Sequence, residues 1–165
     1  MSRLNVLFLC THNSARSILA EALLNHHAGE RVAAHSAGSH PSGEVHPLAL
    51  RALAERGIAV AGARSKVWDE FARPEAPPMG VVITVCDGAA GEMCPIWPGA
   101  PLKAHWGVAE PGRLAEGLDE QAALELFRGT LERLERRVRA FLELPLESLD
   151  PASLKRALDR IGGMD

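Results

Sequence analysis

The sequence predicts an α/β protein built on an open, mainly four-stranded parallel sheet flanked by helices. Short apolar runs alternate with longer segments whose apolar residues recur at helical spacing. Residues 81–85 are β-branched throughout, which is typical of a strand buried on both faces. Strand and helix patterns also alternate twice within the first 57 residues, as in βαβ units. The 165 residues, 47% of them hydrophobic, predict one globular domain spanning 1–165.

The N-terminal elements follow from apolar spacing and from glycine. Ile18, Leu19, Ala22 and Leu23 share one helical face, and Gly29 lies where a C-cap glycine would end that helix. In the next helix we expect Ala49, Leu50 and Leu53 to point inward. The predicted elements are strands at 4–9 and 31–36 and helices at 15–28 and 47–56.

The middle of the chain is less regular. Ser65 is predicted to cap a short helical turn through Trp68 and Phe71, and residues 73–80 form a proline-rich linker. The strand at 81–85 then leads to Cys86. The stretch from Asp87 to Pro101 is rich in glycine and proline and contains Cys94, so we expect a mobile loop there.

The C-terminal third predicts a short strand at 102–106 and two helices. The first helix, at 119–142, has a buried stripe, and the second begins at Asp150-Pro151, a capping residue followed by a proline at the first helical position. Residues 145–165 are expected to be an extension whose short helix packs on the domain. The buried stripe comprises Ala123, Leu126, Phe127, Leu131, Leu134, Val138 and Phe141.

Composition narrows the classes of function. A net charge of −3 without a basic stripe does not favour nucleic-acid binding. Nothing approaches the roughly 18 consecutive apolar residues of a membrane span, and the apolar run before Cys10 is too short for a signal peptide. We therefore expect a cytoplasmic protein with reduced thiols. The spacing of Cys86 and Cys94 and of the histidines does not match a zinc site, so no metal is expected.

The stretch from Cys10 to Ser17 carries the clearest chemistry. It joins a buried strand to a helix, so its backbone N–H groups can surround an oxyanion at the positive end of that helix. Arg16 can clamp two oxygens of such an anion, and the positive surroundings are expected to lower the pKa of Cys10 and hold it as a thiolate. The predicted oxyanion-binding residues are Thr11, His12, Asn13, Ser14, Ala15 and Arg16.

Two cysteines follow predicted parallel strands at their carboxyl ends. Cys10 follows the first strand and Cys86 follows the strand at 81–85. Ligands of open parallel sheets lie at that edge, so the two thiols are expected to be neighbours.

These motifs resemble a known family. Cys10-x5-Arg16-Ser17 resembles the low-molecular-weight protein tyrosine phosphatase fold. Thr84-Val85-Cys86-Asp87, Glu92-Met93-Cys94-Pro95 and His105-Trp106-Gly107 are similar to the thiol-dependent, thioredoxin-coupled arsenate reductases built on it. The resemblance covers residues 4–142.

The resemblance implies a relay of three cysteines for arsenic detoxification. Cys10 attacks arsenate, Cys86 attacks the Cys10 sulfur and releases arsenite, and Cys94 then forms the final disulfide with Cys86. It also implies that no cofactor is bound and that an external thiol, thioredoxin or alternatively glutathione with glutaredoxin, reduces that disulfide. Phosphate or sulfate could occupy the same loop as arsenate. A monomer is expected.

Further roles follow from the resemblance alone. Asn13 and Ser17 match residues that organise the loop and support the thiolate. Glu21 and Ser36, with Asn13, match a monovalent-cation site of some members, but Lys66 stands where an acidic residue is expected, and its ammonium could replace the cation. Glu110, before a proline, stands where the family has an aspartate as general acid.

Two other functions remain open. One is a low-molecular-weight protein tyrosine phosphatase that uses Cys10 and Arg16, of which a weak side activity could also persist. The other is a non-catalytic oxyanion-binding or arsenic-sensing module, which would not need Cys86 and Cys94 to cycle. The chain contains no tyrosine to stack on a substrate ring.

Overall fold

The computed structural model describes residues 3–60, 62–86, 97 and 101–164, and it confirms the predicted parallel sheet. The strands lie in the order β2-β1-β3-β4. Leu9 is opposite both Ala37 and Thr84, and Thr84 is opposite His105, so all four strands end at one edge. Their bounds are β1 (Leu4–Leu9), β2 (Val32–Ala37), β3 (Val81–Thr84) and β4 (Leu102–His105).

The predicted helices are present. The bounds of the first three and the start of the last lie within one residue of the prediction, while a four-residue helix after Glu110 had no signal in the sequence. Gly29 ends the first helix with a φ of 62°, in the left-handed region that favours glycine. The helices are α1 (Arg16–Ala28), α2 (Pro47–Glu55), α3 (Pro111–Leu114), α4 (Glu120–Leu142) and α5 (Pro151–Gly162), with a 3-10 helix at Trp68–Phe71.

Side-chain caps fix where the last two long helices begin. The Asp119 carboxylate accepts from the N–H of Ala122, and the Asp150 carboxylate accepts from the N–H of Ser153. Helix α4 packs against α1 and α2, while α5 packs against β4 and α4. The C-terminal extension thus packs on β4, which is an edge strand of the sheet.

Some local predictions are wrong. Ser65 does not cap the 3-10 helix, whose N-cap is Val67 without a side-chain hydrogen bond; the Ser65 hydroxyl instead donates to the carbonyl of His12. Leu50 and Leu126 are only half-buried, because Ala52 and Leu124 occupy the inner positions of their helices. The predicted mobile loop, including Cys94, lies almost entirely outside the described residues. Among the residues described, no helix has the length and apolar content to cross a membrane.

Candidate active site

The loop between β1 and α1 is held in a curled conformation by hydrogen bonds on its outer side. The carbonyls of Thr11, His12 and Ser14 accept from the backbone N–H groups of residues 40, 42 and 46, at 2.8–3.0 Å. Because these carbonyls point away from the loop's centre, its N–H groups are left to face inward. Gly38 permits the close packing of β2 on this loop, since a Cβ there would lie 2.5 Å from the Cys10 carbonyl oxygen.

Asn13 is the residue that locks this conformation. Its φ of 46° is left-handed, a region that asparagine tolerates better than most residues, and its side chain is fully buried. Its amide donates to Ser17 Oγ at 2.7 Å and accepts from the N–H of Lys66 at 2.7 Å. Helix α1 then starts with no side-chain cap and no acidic residue in its first turn, so its positive end faces the loop.

Arg16 is aimed into the same loop and is anchored by the segment after β4. Its Nη1 donates to the carbonyl of Val108 at 3.0 Å, and its Nη2 lies 3.7 Å from the Glu110 carboxylate. The side chain is 11% exposed, and its Nε is buried without a hydrogen-bond partner among the described residues. A buried, charged donor of this kind is satisfied when an oxyanion lies in the loop.

The structure brings Cys10 and Cys86 together at the carboxyl end of the sheet. Both cysteines are buried, and neither is in a disulfide bond. The Cys86 sulfur accepts from the N–H of Thr11 at 3.2 Å and lies 3.5 Å from the Thr11 hydroxyl. The second cysteine therefore lies against the first amide of the oxyanion loop.

The pKa of Cys10 is raised, contrary to the sequence-based expectation. The largest cause is its hydrogen bond to Cys86, followed by burial. The charge of Arg16 and the N–H of His12 lower the pKa of Cys10, but they are outweighed. The contact with Cys86 therefore favours the protonated form of Cys10.

Glu110 lies at the mouth of the loop, in a cleft of about 770 Å³ shared with Arg16 and Cys86. Its side chain is 43% exposed, so solvent can exchange protons with it. The cleft is large compared with a tetrahedral oxyanion, and Arg113 and Arg133 also line it.

The Lys66 ammonium lies beside Ser36 and Glu21, two of the residues that the resemblance assigns to a monovalent-cation site. The ammonium donates to the carbonyl of Arg64 at 2.8 Å and to Ser36 Oγ at 3.3 Å, and it lies 3.7 Å from the Glu21 carboxylate. Ser36 in turn donates to Glu21 at 2.7 Å. Burial raises the pKa of Glu21 and lowers the pKa of Lys66, in each case against the attraction between the two charges.

Sequence reasoning missed two contacts of this site. The Thr11 contact with Cys86 and the Val108 carbonyl that holds Arg16 both involve backbone atoms, which leave no residue-type signal. Cys94 lies outside the described residues. Within the described part of the chain, no group of three or more His, Cys, Asp or Glu side chains is arranged to hold a metal ion.

Comparison with known proteins gives a family match over most of the chain. Residues 5–158 match the family described as low molecular weight phosphotyrosine protein phosphatase. A curated arsenate reductase from Halalkalibacterium halodurans is 34% identical over 143 residues, which cover 87% of this chain and 98% of that protein.

Solved structures agree with this match. An arsenate reductase in its phosphate-binding state has a TM-score of 0.68 at 27% identity, covering 85% of this chain and 97% of that one. A thioredoxin-dependent arsenate reductase from Corynebacterium glutamicum has a TM-score of 0.56 at 36% identity over 83% of this chain. The match spans 62% of the Corynebacterium chain.

Proposed function

The chain belongs to the low molecular weight phosphotyrosine protein phosphatase family, and from that premise we propose that it is an arsenate reductase driven by an external thiol. Its arsenate reductase relatives and the paired thiols of its oxyanion loop support this proposal. We further propose that residues 1–165 act as one domain. The reaction would serve arsenic detoxification in the cytoplasm.

The observation that carries the proposal is the position of Cys86. A phosphatase needs one nucleophile and an oxyanion loop, which Cys10 and Arg16 would supply. A second buried thiol, hydrogen-bonded to Cys10 and to the N–H of Thr11, has no task in phosphate hydrolysis. Its position beside Cys10 supports attack on the Cys10 sulfur, which is the step that reduction requires.

In the first step, arsenate binds to the N–H groups of the loop and to Arg16. The Cys10 thiolate forms a sulfur–arsenic bond, and the hydroxyl group of monoprotonated arsenate leaves as water with a proton from Glu110. The Ser17 hydroxyl accepts a hydrogen bond from Asn13, which leaves its own proton to donate to the Cys10 thiolate. Arg16 and the N–H groups stabilise the charge on the remaining oxygens.

The second step changes the oxidation state. The Cys86 thiolate attacks the Cys10 sulfur, the sulfur–arsenic bond breaks, and its electron pair stays on arsenic, which leaves as arsenite. Two thiols are thereby oxidised to a Cys10–Cys86 disulfide. Cys94 then attacks Cys86 and releases Cys10 as a thiolate, so the disulfide moves to the 86–94 pair.

An external thiol must then reduce the 86–94 disulfide. We propose thioredoxin, because a solved relative carries the description thioredoxin-dependent. Glutathione with glutaredoxin is the alternative.

One set of assays tests the proposal. Wild type, Cys10→Ser, Cys86→Ser and Cys94→Ser are supplied with arsenate, thioredoxin, thioredoxin reductase and NADPH, and NADPH oxidation is followed. We expect arsenate-dependent turnover in wild type and none in the three variants. Replacing the thioredoxin system by glutathione, glutaredoxin and glutathione reductase identifies the reductant.

A single-turnover assay without reductant separates the cysteines. Wild type and Cys94→Ser should each release about one arsenite per protein, as set by the two-electron balance of the relay. Cys86→Ser should release none, with Cys94→Ser as its matched control. Hydrolysis of para-nitrophenyl phosphate that needs Cys10 alone, without arsenite release by wild type, would establish the phosphatase instead. Arsenate binding without turnover would establish a sensing module.

A further inference from the structure

We propose that the C-terminal helix α5 positions the anion clamp, with Arg137 as the positioning residue that connects α5 to the segment holding Arg16. The inference rests on the proposed function only in taking Arg16 as the residue that binds the oxyanion. It assigns a role to residues 145–165, which carry no functional signal in the sequence.

The first link is the close packing of α5 on the end of β4. The fully buried Trp106 donates from its indole nitrogen to the carbonyl of Leu158 at 3.0 Å. Gly162, the last residue of α5, lies so close to β4 that a Cβ at this position would overlap the carbonyl oxygen of His105. Glycine normally costs a helix about 1 kcal/mol relative to alanine. Here it permits an approach that no other residue allows.

The second link is the Arg137 guanidinium. Arg137 projects from α4, is 4% exposed, and donates to two carbonyls that belong to different segments. Its Nη2 binds the carbonyl of Met164, just after α5, at 2.8 Å, and its Nη1 binds the carbonyl of Gly107 at 3.1 Å. The planar guanidinium thus holds Met164 in a fixed position relative to the segment after β4.

The third link is the peptide next to Gly107. The carbonyl of Val108 accepts from Arg16 Nη1 at 3.0 Å, and the N–H of Val108 donates to Val85 at 3.1 Å. Glu110 follows two residues later and lies 3.7 Å from Arg16. Gly162 itself lines the cleft that contains Arg16. A shift of α5 would therefore move the carbonyl that orients the anion clamp.

The expected consequence is weaker oxyanion binding. A misplacement of about 1 Å at a positioning group can reduce rates by up to about a hundredfold. For a change that acts through one intervening segment, we expect an effect on the order of tenfold on the Kd for phosphate and on KM for arsenate. Thiol–disulfide exchange after arsenite release should not change, because it does not use Arg16.

The test compares neighbouring glycines. Gly162→Ala introduces the overlap with His105, whereas a Cβ at Gly163 would lie 3.5 Å from its nearest neighbour, which is ordinary contact. Phosphate Kd is measured by calorimetry at a temperature where circular dichroism shows each variant fully folded. We expect a raised Kd for Gly162→Ala and a wild-type Kd for Gly163→Ala.

A second pair tests the guanidinium. Arg137→Lys keeps the charge but cannot bind both carbonyls, so its phosphate Kd should also rise; Arg139→Gln, an exposed change on the same helix, is the control. If Gly162→Ala and Arg137→Lys lower only the melting temperature and leave Kd unchanged, α5 is a structural support and the proposal is wrong. If one of them does not fold, the other decides. Wild type that binds phosphate but forms no arsenite would overturn the proposed function without affecting this result.

Discussion

Replacing Lys66 by alanine removes an ammonium group that is buried beside the oxyanion loop. The side chain is 6% exposed and contacts Ser36, the carbonyl of Arg64 and the Glu21 carboxylate. After the substitution, Glu21 remains a largely buried carboxylate without its cation. The space vacated by the ammonium is surrounded by oxygen atoms, the ligands that a monovalent cation prefers.

The magnitude follows from these contacts. Removing one partner of a buried ion pair costs about 3–5 kcal/mol; because Glu21 is 20% exposed, we expect about 3 kcal/mol for Lys66→Ala. Potassium at a concentration one hundred times its Kd would restore about 2.7 kcal/mol by mass action. In a chain of this length that corresponds to a rise in melting temperature of roughly 5 to 11 °C.

The assay is thermal unfolding in potassium chloride and in tetramethylammonium chloride at equal ionic strength. Only the small cation can enter the vacated space, so the melting temperature of Lys66→Ala should rise in potassium alone. Lys66→Met is the matched control, because it removes the same charge but fills the space. Wild type should not respond, since its own ammonium occupies the position.

Either of two results would refute this reasoning. Equal stabilisation of wild type and Lys66→Ala by potassium would show that the cation binds elsewhere. A melting temperature of Lys66→Ala within about 1 °C of wild type in tetramethylammonium would show that Glu21 does not need a cation, since the loss of a buried partner cannot be that small.

Three further predictions concern named groups of the site and its surroundings. Cys86→Ala should lower the pKa of Cys10, since the hydrogen bond to Cys86 is the largest cause of its raised value. The rate of alkylation by iodoacetamide across a pH series measures this pKa. An unchanged pH profile would contradict the prediction. Glu110→Gln should slow single-turnover arsenite release by about a hundredfold or more, while Glu110→Asp retains most of the rate. Equal rates for the two variants would exclude Glu110 as the general acid. Burial and the charge of Lys66 lower the pKa of His35 below 6.5 in the folded protein. The unfolded chain therefore binds more protons near this pH, and the free energy of unfolding falls as the pH drops through 6.5. In urea unfolding, His35→Asn should lose less of this free energy between pH 7 and 5 than wild type.

The predictable part of this protein is what residue type and period determine. Helical and strand periods predicted the four strands, the helices α1, α2 and α4 and the start of α5 within one residue. The order of the strands along one parallel sheet explains why Cys10 and Cys86, which are 76 positions apart, lie side by side. The loop from Cys10 to Arg16 was predictable because a nucleophile, a forked cation and a helix start stand in one short segment.

The unpredicted part depends on atoms that residue type does not reveal. Ser65 looked like a helix cap, but its hydroxyl accepts from the N–H of Gly43 and donates to the carbonyl of His12. The direction of the Cys10 pKa was wrong because a thiol neighbour outweighs Arg16, and neighbours of a buried group are set by packing. The link from α5 to Arg16 runs through carbonyls of Gly107 and Val108, so sequence alone could only describe the C-terminal extension as packing.

The hydrogen bond between the two thiols bears on the order of the proposed relay. The contact with Cys86 raises the pKa of Cys10, while the Cys86 sulfur also accepts from the N–H of Thr11. An oxyanion that takes the Thr11 N–H for itself removes a donor from Cys86 and raises the proton affinity of that sulfur. The shared proton then moves toward Cys86, which leaves Cys10 as the nucleophile for arsenic. Once Cys10 is bonded to arsenic it can no longer share a proton. The Cys86 proton can then pass to the Glu110 carboxylate, which lost its own proton in the first step and lines the same cleft. The contact between the two thiols can therefore activate Cys10 first, and Glu110 can then activate Cys86, in the sequence that the relay needs.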